Sequence, residues 1–314
     1  MNAKKFFSLF LSIAILLSAL VTVTSCASGF DDIKYAIKSE NHLTDDGLVY
    51  SIFENNTIVI TGRQVEHDEL VIPDEIQGMP VVEIGENAFS SDQALVLLTI
   101  GKNVKVIRDS AFYECEFLAR VQASEELKKI SSMAFYGCSR LAEFIGATTL
   151  EIIDELAFYN CAVLAYFNFP ETLTTIGNES FSGCESLTEI VLPKKLKSVG
   201  TDVFSFCSSL TRVSLGNIES ISDKMFLHCI SLSNVTLSPK TTSIGEHAFR
   251  GCSNLKQISV PKTVKTVGEA AFSQCEALKT VNYGGSEKNF KKISCGAGNE
   301  LFYNASIAYK QKIN

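Results

Sequence analysis

Apolar residues recur along this chain at a nearly constant step. Phenylalanine leads the pattern, because nine copies follow one another at intervals of 23 residues, with a single interval of 22 between residues 204 and 226. A fixed period of about 20 to 30 residues indicates one supersecondary unit stacked on copies of itself. The pattern therefore predicts a solenoid built around Phe89, Phe112, Phe135, Phe158, Phe181, Phe204, Phe226, Phe249 and Phe272.

Three further columns keep the same step. A leucine stands six residues after each phenylalanine, an isoleucine or valine stands five residues before it, and a cysteine stands three residues after it in eight of the nine copies. In the first copy Asp92 replaces that cysteine. Because one turn of a solenoid buries its apolar side against the next turn, we interpret these columns as the core. A member near an end, such as Phe272, should then contribute less than an interior one.

Each repeat also contains a segment that predicts a short strand with one buried face. In residues 187–192 the apolar Ile190 and Leu192 stand two positions apart. An Ile-Gly step then turns the chain, and a short helical or 3₁₀ turn around the Ala-Phe-x-x-Cys stretch completes the coil. We expect the strands to stack in register as a parallel sheet, spanning roughly 40 Å at about 4.8 Å per strand. The residue missing near Gly216 should tighten one loop without breaking this ladder.

The columns resemble the BspA-like leucine-rich repeat family of bacterial surface proteins. The matching motif is Ala-Phe-x-x-Cys-x-x-Leu, as in residues 248–255, together with the Ile-Gly turns, and the resemblance covers roughly residues 47–310. It implies an α/β-type solenoid that is mostly β: a right-handed leucine-rich repeat with nine repeats of about 23 residues, parallel stacked strands, an N-terminal hairpin cap and a C-terminal cap. Because such repeats carry many ligands, the resemblance is specific for the fold and not for the function.

The N-terminus departs from the repeat. Lys4 and Lys5 precede a mostly apolar stretch from Phe6 to Val23, and residues 23–26, Val-Thr-Ser-Cys, are similar to a bacterial lipobox, which implies diacylation of Cys26 and cleavage before it. An ordinary secretory signal or a single transmembrane anchor is the alternative. The predicted organisation is a lipoprotein signal peptide at 1–25, the lipidated cysteine and a polar tether at 26–46, a hairpin cap and imperfect repeat at 47–80, the repeat solenoid at 81–284 and a C-terminal cap at 285–314.

Local expectations for these ends are more specific. The tether should contain a short helix near residues 31–37. Residues 48–53 and 57–61 should form a hairpin through an Asn-rich turn, and this hairpin should cover the first exposed edge of the sheet. In the C-terminal cap, Phe290 stands where the family resemblance implies an aromatic residue, and Cys295 lies outside the cysteine column.

Composition narrows the classes of partner. The net charge is −7, and removal of Lys4 and Lys5 with the signal peptide takes it to −9. An acidic chain lacks the basic face that nucleic acid or an anionic lipid surface requires, so neither is an expected partner. After residue 25 no apolar stretch is long enough to span a bilayer. The predicted membrane contact is therefore the lipid at Cys26, and a monomer is expected.

Ten cysteines in a secreted chain ordinarily indicate disulfides. Eight of these cysteines recur at the solenoid step, so their side chains should run parallel and be poorly aimed at one another. We expect buried free thiols, with some disulfide bridges or a metal site as the alternatives, although the chain has no Cys-x-x-Cys pair. The four histidines are scattered, and no phosphate-loop or calcium-loop spacing occurs. The sequence therefore predicts no enzyme, no cofactor and no metal.

A candidate binding surface follows from the strand positions that point away from the core. Residues eight and ten positions after each phenylalanine flank a buried position and should share one continuous outward face, the kind of surface through which solenoids bind partners. The middle of this face combines an aromatic side chain with charges of both signs, and tyrosine and arginine are frequent in binding hot spots. The candidate residues are Arg120, Glu143, Tyr166, Glu189 and Arg212, with Tyr166 the first to test.

Together these observations predict a non-enzymatic bacterial lipoprotein at the outer membrane or cell surface. The family resemblance implies adhesion to protein ligands of a host or of neighbouring cells. One alternative is a glycan-binding module, although the chain has no tryptophan and the sequence shows no aromatic row. The other is a structural protein that associates with itself through the ends of the sheet, although both ends are expected to be capped.

Overall fold

The computed structural model describes residues 35–313, and this part of the chain is built almost entirely from short strands. Within this range two helices of four residues each occur, and neither is suited to crossing a membrane. In chain order the elements are β1 (Ile37–Leu43), β2 (Leu48–Phe53), β3 (Ile58–Arg63), β4 (Glu69–Ile72), β5 (Glu75–Ile76), β6 (Met79–Ile84), β7 (Leu97–Ile100), β8 (Val106–Ile107), β9 (Arg120–Gln122), β10 (Lys129–Ile130), β11 (Glu143–Ile145), β12 (Ile152–Ile153), β13 (Thr175–Ile176), β14 (Glu189–Val191), β15 (Ser198–Val199), β16 (Arg212–Ser214), β17 (Ser220–Ile221), β18 (Asn234–Thr236), β19 (Ser243–Ile244), β20 (Gln257–Val260), β21 (Thr266–Val267), β22 (Thr280–Tyr283), α1 (Glu287–Phe290), β23 (Ser294–Cys295), α2 (Glu300–Tyr303) and β24 (Ser306–Tyr309).

Strands of successive repeats pair in parallel and in register. Glu143 of β11 lies opposite Arg120 of β9, and Ile130 of β10 lies opposite Ile107 of β8. The first strand of each repeat belongs to an outward series, with the orders β11-β9-β7-β4, β14-β16 and β18-β20-β22-β24. The second strand belongs to a second series, with the orders β1-β2-β3-β6-β8-β10-β12-β13-β15 and β17-β19-β21-β23. The predicted solenoid of parallel stacked strands is confirmed.

The third side of each repeat carries the Ala-Phe-x-x-Cys stretch, and it is a run of separate tight turns. Around Phe112, the amides of Tyr113 and Cys115 each donate to the carbonyl three residues earlier, at 3.1 and 3.3 Å. These are the 3₁₀-type bonds that the sequence predicts. Ser110 and Glu114, however, have φ angles of 54° and 52°, and a helix of L-residues cannot continue through that left-handed conformation.

A column of stacked phenyl rings forms the centre of the core. From Phe89 to Phe158, consecutive rings lie 5.2 to 5.3 Å apart at interplanar angles of 10° or less. The rings from Phe112 to Phe272 are completely buried. Because each ring covers its neighbours, the largest apolar groups of the chain are removed from water only when the turns are stacked.

The eight cysteines of the repeat are buried and unbridged. Each thiol donates a hydrogen bond to the carbonyl of the phenylalanine one turn earlier, with Sγ to oxygen distances of 3.0 to 3.4 Å. The expectation of buried free thiols is confirmed. The hydrogen bond gives a second reason for the column, since a cysteine fills a small apolar space and also binds a buried carbonyl.

The N-terminal hairpin is present, and one more strand extends it. β2 and β3 pair antiparallel, and β3 pairs in parallel with β6, so the hairpin covers the edge of the second series. β1 pairs antiparallel with β2. Ile37–Leu43 is therefore a strand and not part of a tether, so the tether expected at residues 26–46 is wrong there. The helix expected near residues 31–37 is wrong for residues 35–37, which are not helical. Residues 26–34 lie outside the described part. A polar stretch forms a strand here because the free edge of β2 offers backbone partners whatever the side chains.

Asp92, which replaces the cysteine of the first copy, joins this hairpin to the first repeat. Arg63 of β3 donates through Nε and Nη2 to the two carboxylate oxygens of Asp92, at 2.7 and 2.8 Å. The two side chains are only 6% and 10% exposed. The departure from the cysteine column therefore creates a buried bidentate ion pair between the cap and the solenoid.

The C-terminal cap continues both strand series by one more turn, because β23 pairs with β21 and β24 pairs with β22. Phe302 of α2 stacks on Phe272 with 4.7 Å between the ring centroids and takes the next place in the phenyl column. Phe290, the expected cap aromatic, is buried between Tyr283 and Phe302. Cys295 lies in β23, outside the cysteine column.

The outward series is interrupted in the fourth repeat. Residues 163–169 form no strand, so β11 and β14 are not joined. Phe167 and Phe169 are both buried in this turn, with ring centroids 5.0 Å apart. We attribute the interruption to the second large ring, because added volume in a packed core shifts the backbone around it.

A second interruption coincides with the 22-residue interval. Within residues 35–313, β15 does not pair with β17, and β16 does not pair with β18. The expectation that the missing residue would leave the ladder intact is therefore wrong. The turn side remains joined, because the amides of Phe204 and Phe206 donate to the carbonyls of Met225 and Leu227 at 3.1 and 2.7 Å. The shorter repeat opens the two strand sides instead.

Candidate functional site

The alternation predicted for the outward face is present. Of the eighteen residues that stand eight or ten positions after a phenylalanine, thirteen are exposed and none is buried, whereas the position between each pair is buried or, at Val213, half-buried. The pleat of a strand produces this alternation. The face consists of Leu97, Thr99, Arg120, Gln122, Glu143, Ile145, Tyr166, Asn168, Glu189, Val191, Arg212, Ser214, Asn234, Thr236, Gln257, Ser259, Thr280 and Asn282.

Four of the five candidate residues form two ion pairs. Arg120 and Glu143 lie opposite each other on β9 and β11, with 2.6 Å between Nη2 and Oε2. Glu189 and Arg212 lie opposite each other on β14 and β16, with 3.6 Å between the charged atoms. All four side chains are between 40% and 76% exposed. Such exposed pairs contribute at most about 1 kcal/mol to folding, so their charges remain available to a partner.

Tyr166, the fifth candidate, lies in the unpaired turn between these two ion pairs. It is 61% exposed, while Phe167 and Phe169 beside it are buried. The pairing of strands therefore brings the charged candidates together two by two and leaves the aromatic one between them. The central face has the order Arg, Glu, Tyr, Glu, Arg across five successive turns.

Apolar side chains accompany Tyr166 on the same face. Ile145 on the preceding turn is 41% exposed and Val191 on the following turn is 53% exposed. Both residues stand at outward positions of the sequence, but neither is of a type that is frequent in binding hot spots, so residue type alone did not make them candidates. The arrangement is an apolar centre with charges at its rim, which is the composition of protein interfaces.

The face extends beyond the first phenylalanine repeat. Val71 of β4, which is 60% exposed, lies opposite Thr99 of β7. A shallow cleft of about 370 Å³ runs over these strands and is also bordered by Leu97, Arg120 and Ile145. Counting positions from a phenylalanine missed Val71, since its turn has none. The alternation in Leu70-Val71-Ile72 was the available signal.

A row of tyrosines on the turn side was also missed. Tyr113, Tyr136 and Tyr159 follow directly after the phenylalanines of three successive repeats, and their rings stack with centroids 4.9 Å apart. Partial burial raises the pKa of Tyr113 and Tyr136. Because the rings cover one another, the row does not offer the open aromatic faces on which a sugar would stack. It therefore does not strengthen the glycan alternative.

The cysteine column is chemically inert. Burial raises the pKa of the Cys115 and Cys275 thiols to about 12, and it raises the pKa of the six thiols between them well above the ordinary value. The thiolate is the reactive form of cysteine, so these side chains do not act as nucleophiles at neutral pH. In the part of the chain that the structure describes, no three His, Cys, Asp or Glu side chains are grouped to hold a metal ion.

Cys26, the predicted lipidation site, lies outside the described residues, and its modification stays a prediction from the sequence. The candidate site is therefore the outward face alone. It presents exposed apolar and charged groups side by side.

Comparison with known proteins identifies the repeat. Residues 67–188 and 174–308 match the family profile described as "BspA type Leucine rich repeat region (6 copies)". A search of curated proteins finds no significant match.

Similar solved structures include a leucine rich cell surface protein from Faecalibacterium prausnitzii, with 22% identity, coverage of 80% of this chain and 97% of that one, and a TM-score of 0.37. The leucine rich repeat protein of T. pallidum has 23% identity, coverage of 85% and 99%, and a TM-score of 0.45. A leucine-rich repeat protein from Bacteroides ovatus has 18% identity, coverage of 86% and 100%, and a TM-score of 0.35.

Proposed function

This chain belongs to the BspA-type leucine-rich repeat family, and from that premise we propose that it is a non-enzymatic cell-surface lipoprotein that binds protein partners through its outward face. The partners we propose are surface proteins of a host or of neighbouring cells, so that the role is adhesion. Leucine-rich repeat proteins act in general by interaction and not by catalysis, and the inert cysteine column agrees with that role.

The observation that carries the proposal is the exposure of Tyr166 at the centre of the face. A tyrosine that is 61% exposed contributes little to folding, yet it offers a large, rigid contact surface with a polar end. Ile145 and Val191 enlarge the apolar area around it. The rim arginines, Arg120 and Arg212, are the charged residue type most frequent in hot spots.

The anchoring part of the proposal is supported by the N-terminal sequence. Val-Thr-Ser-Cys at residues 23–26 follows an apolar stretch with a short basic head, as in lipoprotein precursors. Diacylation of Cys26 would supply more than one acyl chain, and stable anchoring requires more than one. Residues between Cys26 and β1 would then separate the solenoid from the membrane.

The binding test uses the mature chain and a triple variant, Tyr166→Ala with Arg120→Ala and Arg212→Ala. Both proteins are immobilised and exposed to purified surface proteins of candidate host or neighbouring cells. We expect the triple variant to lose binding at least about tenfold. Tyr166→Ala should change the free energy of unfolding by less than about 0.5 kcal/mol, and each exposed ion pair lost with Arg120 or Arg212 should cost at most about 1 kcal/mol. Equal circular dichroism spectra of the two proteins would show that lost binding does not reflect unfolding.

A matched control carries Phe206→Ala with Arg140→Ala. This control also removes an exposed aromatic ring and an arginine, but from the turn side, and it should bind as the unaltered chain does. Binding that is insensitive to the triple variant and sensitive to the control would place the site on the turn side and refute the face assignment.

Anchoring is tested separately by feeding cells labelled palmitate and comparing the natural chain with Cys26→Ser. Protease treatment of intact cells then reports whether the solenoid is outside. Unchanged label in the Cys26→Ser protein, or full protection of the natural protein from protease, would contradict a surface lipoprotein.

A further inference from the structure

The second strand series opens at one junction, between the turn with β15 and the turn with β17. The two turns belong to the 22-residue interval of the phenylalanine column. The loop from Leu215 to Ile218 that leads into β17 is one residue shorter than the loop from Leu192 to Leu196 in the preceding turn. Phe204 and Phe226 stay stacked across the junction, 6.0 Å apart. The shortage is therefore absorbed at the strands.

The backbone hydrogen bonds that join neighbouring turns along this series are missing here. At the junction before, the amides of Lys197 and Gly200 donate to carbonyls of the previous turn at 2.9 and 2.8 Å; at the junction after, the amides of Thr242 and Gly245 do so at 2.8 Å. Eight of the nine junctions between β6 and β23 have both bonds. In the described chain β15 and β17 have no such pairing, so the carbonyls of Lys197 and Val199 have no amide partner in the next turn.

The opening forms a cleft of about 580 Å³, the junction cleft, which has a local surplus of positive charge. Its three lysines are exposed, and none of them forms an ion pair within residues 35–313. The lining contains one carboxylate and three ammonium groups, although the net charge of the whole chain is −7. The polar lining residues that matter here are Lys194, Lys197, Lys240, Glu219, Ser220 and Ser222.

We propose that the junction cleft binds an acidic segment of a partner protein in an extended conformation. The edges of β15 and β17 present unpaired backbone groups, which are a template for a further extended chain. Side chains at alternate positions of an extended segment point the same way. A segment with carboxylates at those positions therefore places them along the lysines while its backbone meets the strand edges.

The unpaired backbone groups favour a peptide over an anion without a peptide backbone. Every peptide unit has both an amide donor and a carbonyl acceptor, so an extended segment along the opening can donate to the free carbonyls of Lys197 and Val199. Sulfate groups and phosphodiesters have only acceptors. They would pair with the lysines and leave the two carbonyls unbonded, and an unbonded buried polar group weakens a complex.

Restoring the missing residue tests the proposal. Insertion of one serine between Asn217 and Ile218 returns the interval to 23 residues, the length at which neighbouring second strands pair. The probe is a short fluorescein-labelled peptide of alternating Glu and Val, followed by fluorescence anisotropy at low salt, and a Gln and Val peptide is the neutral control. We expect the natural chain to bind the acidic peptide and not the neutral one. The insertion variant should lose this binding while melting at the same or a higher temperature.

A charge variant keeps the cleft open and tests the lysines alone. The triple change Lys194→Gln, Lys197→Gln and Lys240→Gln should weaken binding of the acidic peptide about tenfold and reduce its dependence on salt. Dextran sulfate is the counter-probe. The proposal is overturned if the insertion variant binds the acidic peptide as tightly as the natural chain, if the charge variant binds it unchanged, or if dextran sulfate binds the cleft more tightly than the peptide does and displaces it.

The junction cleft and the outward face are separable by mutation, because β15 and β17 belong to the second series and Tyr166 to the outward one. Tyr166→Ala should leave binding of the acidic peptide unchanged, and the serine insertion should leave binding at the outward face unchanged. If binding at one of the two sites is not observed, the test of the other site is therefore unaffected.

Discussion

Alkaline pH should unfold this protein through its buried cysteines. Burial raises the folded-state pKa of the Cys115 and Cys275 thiols from 9.0 to about 12, and it also raises the folded-state pKa of the six thiols between them well above the ordinary value. In the unfolded chain the same thiols ionise near their ordinary pKa. The folded state therefore keeps its thiol protons at pH values at which the unfolded chain has released them. The stability is complete below about pH 8 and is lost as the pH rises from about 9 towards 12.

The magnitude follows from the number of thiols. One pH unit above the unfolded-state pKa, each thiol that is ionised only in the unfolded chain lowers the free energy of unfolding by about 1.4 kcal/mol. Eight thiols together lower it by about 11 kcal/mol. Because domains are stable by about 5–15 kcal/mol in total, the solenoid should unfold between about pH 9 and pH 10.

The assay is denaturant unfolding followed by circular dichroism, in a phosphine reductant, at a series of pH values from about 7 to about 10. The control replaces half of the column, with Cys161→Ala, Cys184→Ala, Cys207→Ala and Cys229→Ala in one protein. This variant is less stable at neutral pH because it has lost buried contacts, but the part of its loss of stability per pH unit that comes from the cysteine column should be half that of the natural chain. Tyrosine and lysine titrations are the same in both proteins. Equal pH slopes would refute the assignment of the effect to the thiols.

Two stability predictions follow from the caps and the core. Phe181→Ala should lower the free energy of unfolding by about 3–5 kcal/mol. Phe272→Ala should lower it by a similar amount, because Phe302 covers the Phe272 ring. The position of Phe272 near the end of the repeats had suggested a smaller loss. Denaturant unfolding measures both, and a clearly smaller loss at Phe272 would mean that Phe302 adds nothing to the column. Arg63→Met should lower the free energy of unfolding by about 3–5 kcal/mol, because it leaves Asp92 charged, buried and without its cation. Adding Asp92→Cys to this variant should restore most of the lost stability, because cysteine is the residue at this position in the other eight repeats. A double variant no more stable than Arg63→Met would contradict this reading of the ion pair.

Regular positions were predictable from the sequence because the same interaction recurs in each turn. The phenylalanine step predicted the parallel register of β9 and β11, and the alternation after each leucine predicted which residues face outward. The hairpin of β2 and β3 was also predictable, since an Asn-rich turn between two apolar runs is a local signal. The candidate residues Arg120 and Glu143 were placed on the face, but their ion pair was not foreseen, because it depends on the rotamers of two exposed side chains.

Irregular positions were not predictable in the same way. Phe302 joins the phenyl column from a cap without the repeat motif, so no count of residues identifies it. β1 forms on a polar segment because an edge strand is available to it, which depends on its neighbour and not on its own residues. Tyr166 was selected correctly as an outward residue, yet the interruption around it depends on how two phenyl rings share one turn.

The sequence by itself determined which side chains are inside, and therefore the solenoid, because burial preference is a property of each residue and the 23-residue step repeats it. Only the tertiary structure decided where the backbone of one turn meets the next. Pairing between turns depends on distances of a few ångströms between groups that lie about 23 residues apart, and one missing residue or one additional ring changes those distances without changing the apolar pattern. The junction cleft and the unpaired turn of Tyr166 both arise in this way, at places where the residue pattern remains nearly regular and the hydrogen-bonded ladder does not.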